Sequence, residues 1–594
     1  MKNWKKSICA VLSLLLILSL LPAVVSANPG NSGTCGLNNS TKVKWNLDSS
    51  GTLTISGSGA MENYTHSLTS PWYPSVSMVK KIVIQSGVTA IGDYCFEFCY
   101  NATSVEIPKS VKTIGDRAFA VCTNLKTMPI PENITSIGEQ AFMDCGSLTG
   151  FAVDPKNAYF SNDSSFLYNK NKTVLISSIS NLQGSYSIPA SVTTIGPYAF
   201  LSSYYNLSVT IPAGVTTIGE GAFAGCSALT GIWVDEANSK FSSDSRGVLF
   251  NKEKTALLQA PGKLSGDYEV PSGVRTIEVN AFRNNGKLVS LMIPDSVTDV
   301  KDEAFFGCGK LKKVTMGSGL KTIGEKAFYS CEALAELTLG ENLTTIGADA
   351  FTDCNALETV TIPDSVTTLG QHAFWQCRGL TTLILGDGLT EVSKGAFEDC
   401  TALKEITFGS KLTSIGENAF RNCPALEELV VPDTVTKIGD FSFHGGNLTK
   451  LDIGNGVKTI GYGAFVGQKK LTAVTFGAAL TRVGTAAFES CDNLKNIYYR
   501  GTQAQWKKVQ ILEDNEPLLA ATVRYVANVG GLEDDGEYST SDAVYVLLYV
   551  MFGADDYPVP EGMDLDFNGS GKVDTNDAVY LLLHVMFGAE DYPI

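Results

Sequence analysis

The chain has 594 residues, a formal net charge of −16, 44% apolar residues and 18% charged residues. This length and composition predict a large core and more than one domain. The acidic balance disfavours nucleic acid and anionic membrane surfaces as partners, and no basic cluster offsets it.

Residues 1–27 have the pattern of a secretory signal peptide. Three lysines precede an apolar run at residues 8–21, and Val-Ser-Ala at 25–27 fits a small-residue cleavage site. An uncleaved membrane anchor is the alternative, disfavoured because the run is short and ends at Pro22. No later segment is apolar enough to span a bilayer. The sequence therefore predicts a secreted or extracellular protein that is soluble or held at a surface without a membrane helix.

A pattern of about 23 residues recurs between residues 91 and 494. A fixed short period over such a length is typical of a solenoid. Most spacings are 23 residues, one is 22, and two of 58 and 59 each contain an insertion. The Phe of the recurring Ala-Phe pair, here called the marker Phe, identifies fifteen repeats: Phe96, Phe119, Phe142, Phe200, Phe223, Phe282, Phe305, Phe328, Phe351, Phe374, Phe397, Phe420, Phe443, Phe465 and Phe488.

The unit at residues 346–370 shows what each position does. Val360 and Ile362 alternate with Thr361, which predicts a strand with one buried face, stacked in parallel on its neighbours. A turn at 363–365 leads to a second short extended segment at 366–369.

Two further features of the unit predict a sharp corner and a compact turn. Gly370 is expected to permit the corner. The pair Ala373-Phe374 is expected to lie in a helical or 3₁₀ turn that points Phe374 inward.

The unit L-x-x-I-x-I-P-x-S-V-x-x-I-G-x-x-A-F-x-x-C resembles the BspA-like leucine-rich repeats of bacterial surface and secreted proteins. The resemblance covers about residues 33–526, including terminal caps at Gly33–Gly36 with 45–61 and at 497–506. It implies a curved, strand-rich α/β solenoid with an interaction role and no catalytic residues. We assign 28–85 to an N-terminal β cap, 86–499 to the solenoid and 500–527 to a C-terminal cap.

The chain has 14 cysteines, and eleven of them follow a marker Phe by three residues. Stacked coils place these side chains in one ladder, which favours buried free thiols over disulfides or a metal site. Cys35 and Cys95 lie off the ladder and receive no assignment. The ladder comprises Cys99, Cys122, Cys145, Cys226, Cys308, Cys331, Cys354, Cys377, Cys400, Cys423 and Cys491.

The two insertions, near residues 154–185 and 235–268, resemble each other. In both, a strand ends in Asn-Lys-x-Lys and an apolar strand follows, which predicts a hairpin with a polar tip. The hairpins are expected to project from one edge of the solenoid. They are interpreted as surface additions without a binding role, with a ligand contact as the alternative.

The tail, residues 528–594, contains a second duplication. Residues 542–559 recur at 577–594 with fourteen of eighteen positions identical. Each copy reads as a short apolar helix closed by Gly, with Pro beyond it.

The segment before the second helix has the oxygen-ligand spacing of an EF-hand calcium loop, with Gly571 at the tight turn. Lys572 would contribute only its backbone carbonyl. A bare polar loop is the alternative. The predicted calcium ligands are Asp566, Asn568, Ser570, Lys572, Asp574 and Asp577.

A first, degenerate loop has Gly531 where an Asp should begin it, so calcium is expected to bind weakly or not at all. Its aligned positions are Glu533, Asp535, Glu537, Ser539 and Asp542.

Two loop–helix units without an entering helix, and with Asp at the twelfth loop position, resemble a dockerin over about residues 530–594. The resemblance implies a small all-α module that binds a cohesin on a scaffold or cell surface. A calcium-stabilised capping module is the alternative. The cohesin-contacting positions it implies are Thr540, Ser541, Thr575 and Asn576.

No catalytic motif is found, and His66, His372, His444 and His584 share no register, so the chain is not expected to be an enzyme. The repeats predict either a protein-interaction solenoid or a carbohydrate-binding component of a cellulosome-like, polysaccharide-degrading assembly. Protein interaction is preferred because the expected solvent-facing strand column contains mostly Thr rather than aromatic residues. That column is Trp233, Met292, Thr315, Thr338, Thr361, Ile384, Thr407, Val430, Asp452, Thr475 and Tyr498.

Overall fold

The computed structural model describes residues 31–201, 205–525, 540–553, 565–568 and 570–587. The predicted signal peptide at 1–27 lies outside these residues. The chain divides into two compact units. Unit 1 comprises residues up to Gln183 with Pro189–Tyr204 and Thr217–Phe223, and unit 2 comprises Gly184–Ile188, Tyr205–Thr216 and the chain from Ala224 onward.

Each ordinary coil of the repeat region contributes one long strand. Thr359–Ile362 is representative: its residues alternate between exposed and buried, as predicted, and it pairs in parallel with Thr382–Leu385. The long strands of unit 1 are Lys81–Ile84, Ser104–Glu106, Met128–Ile130 and Phe151–Val153. Those of unit 2 are Gly184–Ser187, Leu207–Ile211, Leu229–Val234, Gly266–Glu269, Leu288–Ile293, Lys313–Met316, Glu336–Thr338, Thr359–Ile362, Thr382–Leu385, Glu405–Thr407, Glu428–Val431, Lys450–Ile453, Ala473–Phe476 and Asn496–Tyr499.

A second column of short parallel strands follows the turn after each long strand. These strands confirm the second extended segment, although most have only two residues. In unit 1 they are Val88–Ile91, Thr113–Ile114, Ser136–Ile137, Thr194–Ile195 and Thr217–Ile218. In unit 2 they are Thr276–Ile277, Asp299–Val300, Thr322–Ile323, Thr345–Ile346, Thr368–Leu369, Glu391–Val392, Ser414–Ile415, Lys437–Ile438, Thr459–Ile460 and Arg482–Val483.

All fifteen marker Phe side chains are buried, with at most 3% exposure. From Phe282 to Phe488 their rings stack nearly parallel, with centroids of successive rings 4.7 to 5.5 Å apart. Offset stacking at this distance is favourable beyond the area that it buries. The markers therefore form the centre of the core.

The marker turn is not helical, which corrects the sequence prediction. Asp349 and Asp353, two residues on either side of Phe351, have positive φ values of 53° and 60°. The backbone N–H groups of these three residues donate to carbonyl oxygens of the next coil, at 2.7 to 2.9 Å. An α-helix would direct them to its own carbonyls four residues earlier. In this turn only the alternate amides of Thr352 and Cys354 bond locally, to carbonyls three residues earlier, and the other three join the next coil.

Gly370 also has a different role from the predicted one, because it is not among the residues with positive φ. A Cβ atom at Gly370 would lie 2.3 Å from the nitrogen of Ala348 and the carbonyl carbon of Gly347. One at Gly347 would meet the carbonyl carbon of Gly324 at 2.6 Å. Glycine is required here because the backbones of successive coils approach too closely for a side chain.

The predicted cysteine ladder is present, and all thirteen cysteines of the described chain are buried and free. The Cys354 thiol donates to the carbonyl oxygen of marker Phe328 in the preceding coil at 3.3 Å. The same bond recurs at 3.2 to 3.4 Å from Cys122, Cys145, Cys308, Cys331, Cys377, Cys400, Cys423 and Cys491.

At two of the positions where another residue replaces the cysteine, a side-chain amide donates to a backbone carbonyl instead. Gln468 Nε2 donates to the Phe443 carbonyl at 2.7 Å, and Asn285 Nδ2 donates to the Pro261 carbonyl at 3.0 Å. Burial raises the pKa of the Cys377 thiol to about 12, so it stays protonated and can act as the donor. The ladder position is therefore a hydrogen-bond donor position.

The N-terminal cap consists of the strands Ser32–Gly36, Ser40–Leu47, Thr52–Gly57 and Gly59–Ala60 and the 3₁₀ turns Leu37–Asn39, Ser67–Thr69 and Tyr73–Met78. Its Trp72 substitutes for a marker turn. The Trp72 ring stacks on Phe96 with centroids 5.5 Å apart, and its Nε1 donates to the Cys95 carbonyl at 3.0 Å. Cys95, which had no assignment, thus supplies the first carbonyl in the series of hydrogen bonds that join successive marker turns.

The C-terminal cap consists of helices Gln503–Trp506 and Glu516–Ala520 and strands Gln510–Ile511 and Thr522–Tyr525. The two strands extend the short and long columns, respectively. The buried side chain of Asn515 accepts the N–H of Phe488 through Oδ1 at 2.9 Å. One amide side chain therefore replaces the carbonyl that another coil would supply.

Both insertions contain the predicted hairpin with one additional strand. In the first, Phe160–Asn162, Phe166–Asn169 and Val174–Ser178 pair antiparallel. In the second, the strands are Phe241–Ser243, Leu249–Asn251 and Ala256–Gln259. Asn157 and Asn238, both fully buried, hold the entry of each insertion by donating to two carbonyls of the previous coil.

The tail contains the two predicted helices, Thr540–Phe552 and Thr575–Phe587. They pack together through buried residues that include Val546 and Leu581. Gly553 follows the first helix with a φ of 88°, as expected for a glycine that ends a helix. Within the described residues, no helix is both long and apolar enough to cross a bilayer.

We predict that Phe351→Ala destabilises the protein by about 3–5 kcal/mol, because it removes a ring that stacks on two neighbours and leaves a cavity. Thr361→Ala, on the exposed side of the adjacent strand, should change the free energy of unfolding by less than about 0.5 kcal/mol. Denaturant melts of both variants measure the difference. Equal, small losses would show that the marker column is not the core.

We also predict that the ladder thiols are reduced in the native protein, since nine of the eleven donate to a carbonyl and none is paired. Alkylation in denaturant without reductant, followed by mass spectrometry, should label most of the eleven ladder cysteines. Extensive linkage among them would contradict the donor role.

Candidate interaction surface and calcium loop

The exposed side of the long strands, here called the strand face, presents the predicted column. Parallel register aligns Thr361 with Ile384 and Ile384 with Thr407. The same register joins Met292, Thr315 and Thr338, and it joins Val430, Asp452, Thr475 and Tyr498. The predicted column is confirmed within each of these sheets.

The strand face exposes more apolar surface than its threonines suggest. Val430 is 60% exposed and Met292 is 50% exposed, although both lie in regular strands. The adjacent charges form exposed cross-strand pairs, including Lys313 Nζ to Glu336 Oε2 at 2.7 Å. Exposed pairs contribute about 0–1 kcal/mol to stability. A binding partner could therefore break these ion pairs and contact the same side chains at a small cost in free energy.

Trp233 lies across the strand face in a fixed orientation. Its indole Nε1 donates to Ser208 Oγ at 3.0 Å. A Cβ atom at Gly231 would come within 2.8 Å of the indole ring, so the ring covers this glycine. The side chain is nevertheless 39% exposed, which leaves apolar ring surface available to solvent.

A polar cluster on the marker-turn edge was missed in the sequence. Glu398 Oε1 lies 3.3 Å from Arg421 Nη1, and its Oε2 lies 3.9 Å from His372 Nε2. Burial raises the pKa of Glu398. Trp375 Nε1 donates to Asp399 Oδ2 at 3.2 Å in the same region. The repeat period could have revealed this cluster, because Trp375, Glu398 and Arg421 each directly follow a marker Phe.

The second tail loop is held by two of its predicted calcium ligands. Asp566 accepts the N–H groups of Ser570 at 2.8 Å and Gly571 at 2.5 Å. Asp577, which is fully buried, accepts the N–H groups of Asn568 at 3.2 Å and Asp574 at 2.7 Å. The loop therefore folds around the first and twelfth ligand positions.

The remaining loop residues make shorter-range bonds. Asp574 accepts the N–H of Asn576 at 2.8 Å, and Ser570 Oγ donates to the Lys572 carbonyl at 3.1 Å. Gly571 has a φ of 80°, as the tight turn requires. Three carboxylates with amide, hydroxyl and carbonyl oxygens are the donor set that a hard cation such as Ca²⁺ takes.

In the part of the chain that the structure describes, no three His, Cys, Asp or Glu side chains lie close enough together to hold a metal ion. The loop carboxylates instead accept backbone N–H groups. Calcium at this loop stays a prediction based on ligand type and order.

The other predicted tail residues are described in part. Asp542 is buried in the first turn of the helix Thr540–Phe552, whereas the remaining four first-loop positions, Glu533, Asp535, Glu537 and Ser539, lie outside the described residues. Thr575 and Asn576 are exposed at the start of the second helix. Thr540 and Ser541 begin the first helix, and their side chains are not among those described.

Comparison with known proteins gives a family match. A model described as the BspA type leucine rich repeat region, in six copies, matches residues 73–186, 180–245, 265–381 and 371–495. These segments together span more than half of the chain. Among curated proteins, none matches this sequence.

Solved structures of similar proteins include three from bacteria. A leucine-rich repeat protein from Eubacterium ventriosum has 27% identity and a TM-score of 0.42, with 71% of this chain and 96% of that chain covered. A leucine rich cell surface protein from Faecalibacterium prausnitzii has 24% identity and a TM-score of 0.37, covering 62% and 93%. A leucine-rich repeat protein from Bacteroides ovatus has 22% identity and a TM-score of 0.39, covering 82% and 98%.

Proposed function

Because the chain belongs to the BspA-type leucine-rich repeat family, we propose that it is a secreted, non-catalytic protein-interaction solenoid. A calcium-dependent, dockerin-like tail would attach it to a cohesin-bearing scaffold or cell surface. The ligand of the repeats would be a protein held on the strand face.

The observation that carries the interaction role is the composition of the strand face. Apolar side chains such as Val430, Met292 and Ile384 are 60%, 50% and 37% exposed on regular strands whose opposite faces are buried. Stability does not require them there, since the core is complete without them. Apolar residues surrounded by weak, exposed ion pairs are typical of a protein interface with a polar rim.

The loop around Asp566 and Asp577 supports the attachment role. A buried carboxylate at the twelfth position, bonded to the backbone at the third and ninth positions, closes the loop that carries the predicted ligands. Bound calcium would replace backbone N–H partners and fix the start of the second helix, where Thr575 and Asn576 would face a cohesin.

Carbohydrate binding is a second candidate function, and Trp233 favours it. An indole ring that lies over Gly231 and is tied to Ser208 is a preformed planar surface of the kind on which sugar rings stack. A sugar-binding platform needs several aromatic residues in series, and Tyr498 is the one other aromatic residue of the predicted column. Protein interaction is therefore the better-supported function.

We predict that the full-length exported protein binds a member of a cohesin panel only when calcium is present. Asp566→Ala combined with Asp577→Ala should abolish both calcium binding and cohesin binding, because two of the three loop carboxylates are lost. The matched control, Glu236→Ala with Glu253→Ala in the second insertion, removes two exposed carboxylates and should bind normally.

Calorimetric titration with calcium and pull-down with and without chelator provide the readouts. If no cohesin binds, or if chelator changes neither metal binding nor attachment, the dockerin-like role is wrong and the tail is a helical cap.

A further inference from the structure

The first insertion interrupts the hydrogen bonds that join successive marker turns in unit 1. Before the interruption, Arg117 N–H donates to the Glu139 carbonyl and Phe119 N–H donates to the Ala141 carbonyl, both at 2.9 Å. After it, Tyr198 N–H donates to the Glu220 carbonyl at 3.0 Å, and Phe200 N–H donates to the Ala222 carbonyl at 2.8 Å. In each of these turns the first two donors therefore bond to two carbonyls that lie two residues apart.

Gln140 and Phe142 hold the equivalent donor positions in the third repeat, and no marker turn follows them. Within the described residues, neither backbone N–H has a hydrogen-bond partner. Phe142 is only 3% exposed. A backbone N–H without a partner in such a place costs free energy unless water or a ligand satisfies it.

These residues line a cleft of about 160 Å³. Its opposite wall is the last strand of the insertion, with Ser177, Ser178 and Ser180, and the turn of the fourth repeat. Ser178 N–H donates to the Ala199 carbonyl at 2.8 Å, so this wall is bonded to the fourth repeat and not to the third. The cleft is the space that the missing marker turn would fill.

In the C-terminal cap, the chain itself supplies acceptors for the equivalent two donors. There Ala486 N–H donates to the Glu513 carbonyl at 2.9 Å, and Phe488 N–H donates to the side-chain carbonyl of Asn515 at 2.9 Å. Two carbonyl oxygens are therefore the complement in every completed turn. Water could satisfy the donors singly, but only a peptide offers both oxygens at this spacing on one molecule.

We propose that this cleft binds a peptide segment of a partner protein, whose backbone carbonyls two residues apart accept hydrogen bonds from the N–H groups of Gln140 and Phe142. Main-chain bonding of this kind supplies affinity, as it does when a peptide adds to a sheet edge. The site is separate from the strand face and from the tail.

The side chains around the cleft indicate which peptides fit. Ile137, Met143, Ile176 and Leu201 give it apolar walls, so a small apolar side chain is favoured between the two carbonyls. In the completed turns the position that supplies the second carbonyl is Ala, except for Ser442. Glu139 is exposed beside the cleft and disfavours an acidic residue there.

The test uses the full-length exported protein and the acetylated, amidated peptide Gln-Gly-Ala-Phe-Ala-Gly. This peptide copies residues 220–225, whose carbonyls satisfy the equivalent donors of the fourth repeat, with Gln in place of Glu220 because Glu139 lies beside the cleft. Hydrogen–deuterium exchange measured by mass spectrometry should show at least tenfold slower exchange in the fragment that contains residues 137–145 when the peptide is saturating.

Three variants identify the site. Ser177→Phe fills the cleft and should abolish the protection, whereas Ser177→Ala leaves it open and should retain it. Ser164→Phe, on an exposed turn of the same insertion, should also retain it. Thermal melts establish that each variant is folded.

The proposal is overturned if the peptide gives no protection, if protection survives Ser177→Phe in a folded protein, or if cellohexaose protects the same amides and the peptide does not. Chelation of calcium and Val430→Glu on the strand face should leave peptide protection unchanged. Failure of the cleft can thus be distinguished from failure of the tail or of the strand face.

Discussion

The structure depends on the hydrogen bond that thirteen of the fifteen marker Phe residues donate, through the backbone N–H, to the coil or cap that follows. From Phe282 to Phe465 this bond measures 2.6 to 2.9 Å in every coil. It fixes the spacing at which the rings stack, and it requires left-handed residues on both sides of the marker. The cysteine thiol bonds the opposite way, to the previous marker carbonyl. Each turn is therefore held from both sides, and a single coil has no comparable bonds of its own.

Four places where the regular pattern ends can be explained by this constraint. At the N-terminus Trp72 provides both a ring and an N–H donor, and at the C-terminus Asn515 provides a carbonyl oxygen. At the two insertions no group of the described residues accepts from Gln140 and Phe142 or from Gly221 and Phe223, and the first pair faces a cleft. The two caps therefore complete the hydrogen bonds of the marker turns with groups of the chain itself, whereas at the cleft the described chain leaves two donors without an acceptor.

Periodicity was sufficient to predict the repeats, the alternation in strands such as Thr359–Ile362, the buried thiols and the exposed column. At Phe374 it correctly predicted a compact turn with the ring buried, but the turn was interpreted as helical or 3₁₀ and contains no helix. Helix propensity reflects backbone hydrogen bonds within one segment. In this turn the amides of the marker Phe and of the residues two positions before and after it donate to a different coil. The role of Gly370 was mistaken for the same reason, because close approach of two coils leaves no local signal. The cluster at Glu398 was missed because its members are distant in the sequence and meet only through stacking of the coils, although their shared position after a marker Phe was a signal.

The tail could be predicted as two helices and a Gly-closed loop, since those features are local. The attachment role that we propose for it would depend on a partner and an ion from outside the chain. The central claim, that marker turns are held by bonds to the next coil, is tested most directly by amide hydrogen exchange in the native protein. The N–H groups of Asp349, Phe351 and Asp353, although outside helices and strands, should exchange only through global unfolding, as slowly as that of Val360 in the adjacent strand. Exchange at the rate of an exposed loop would contradict the account.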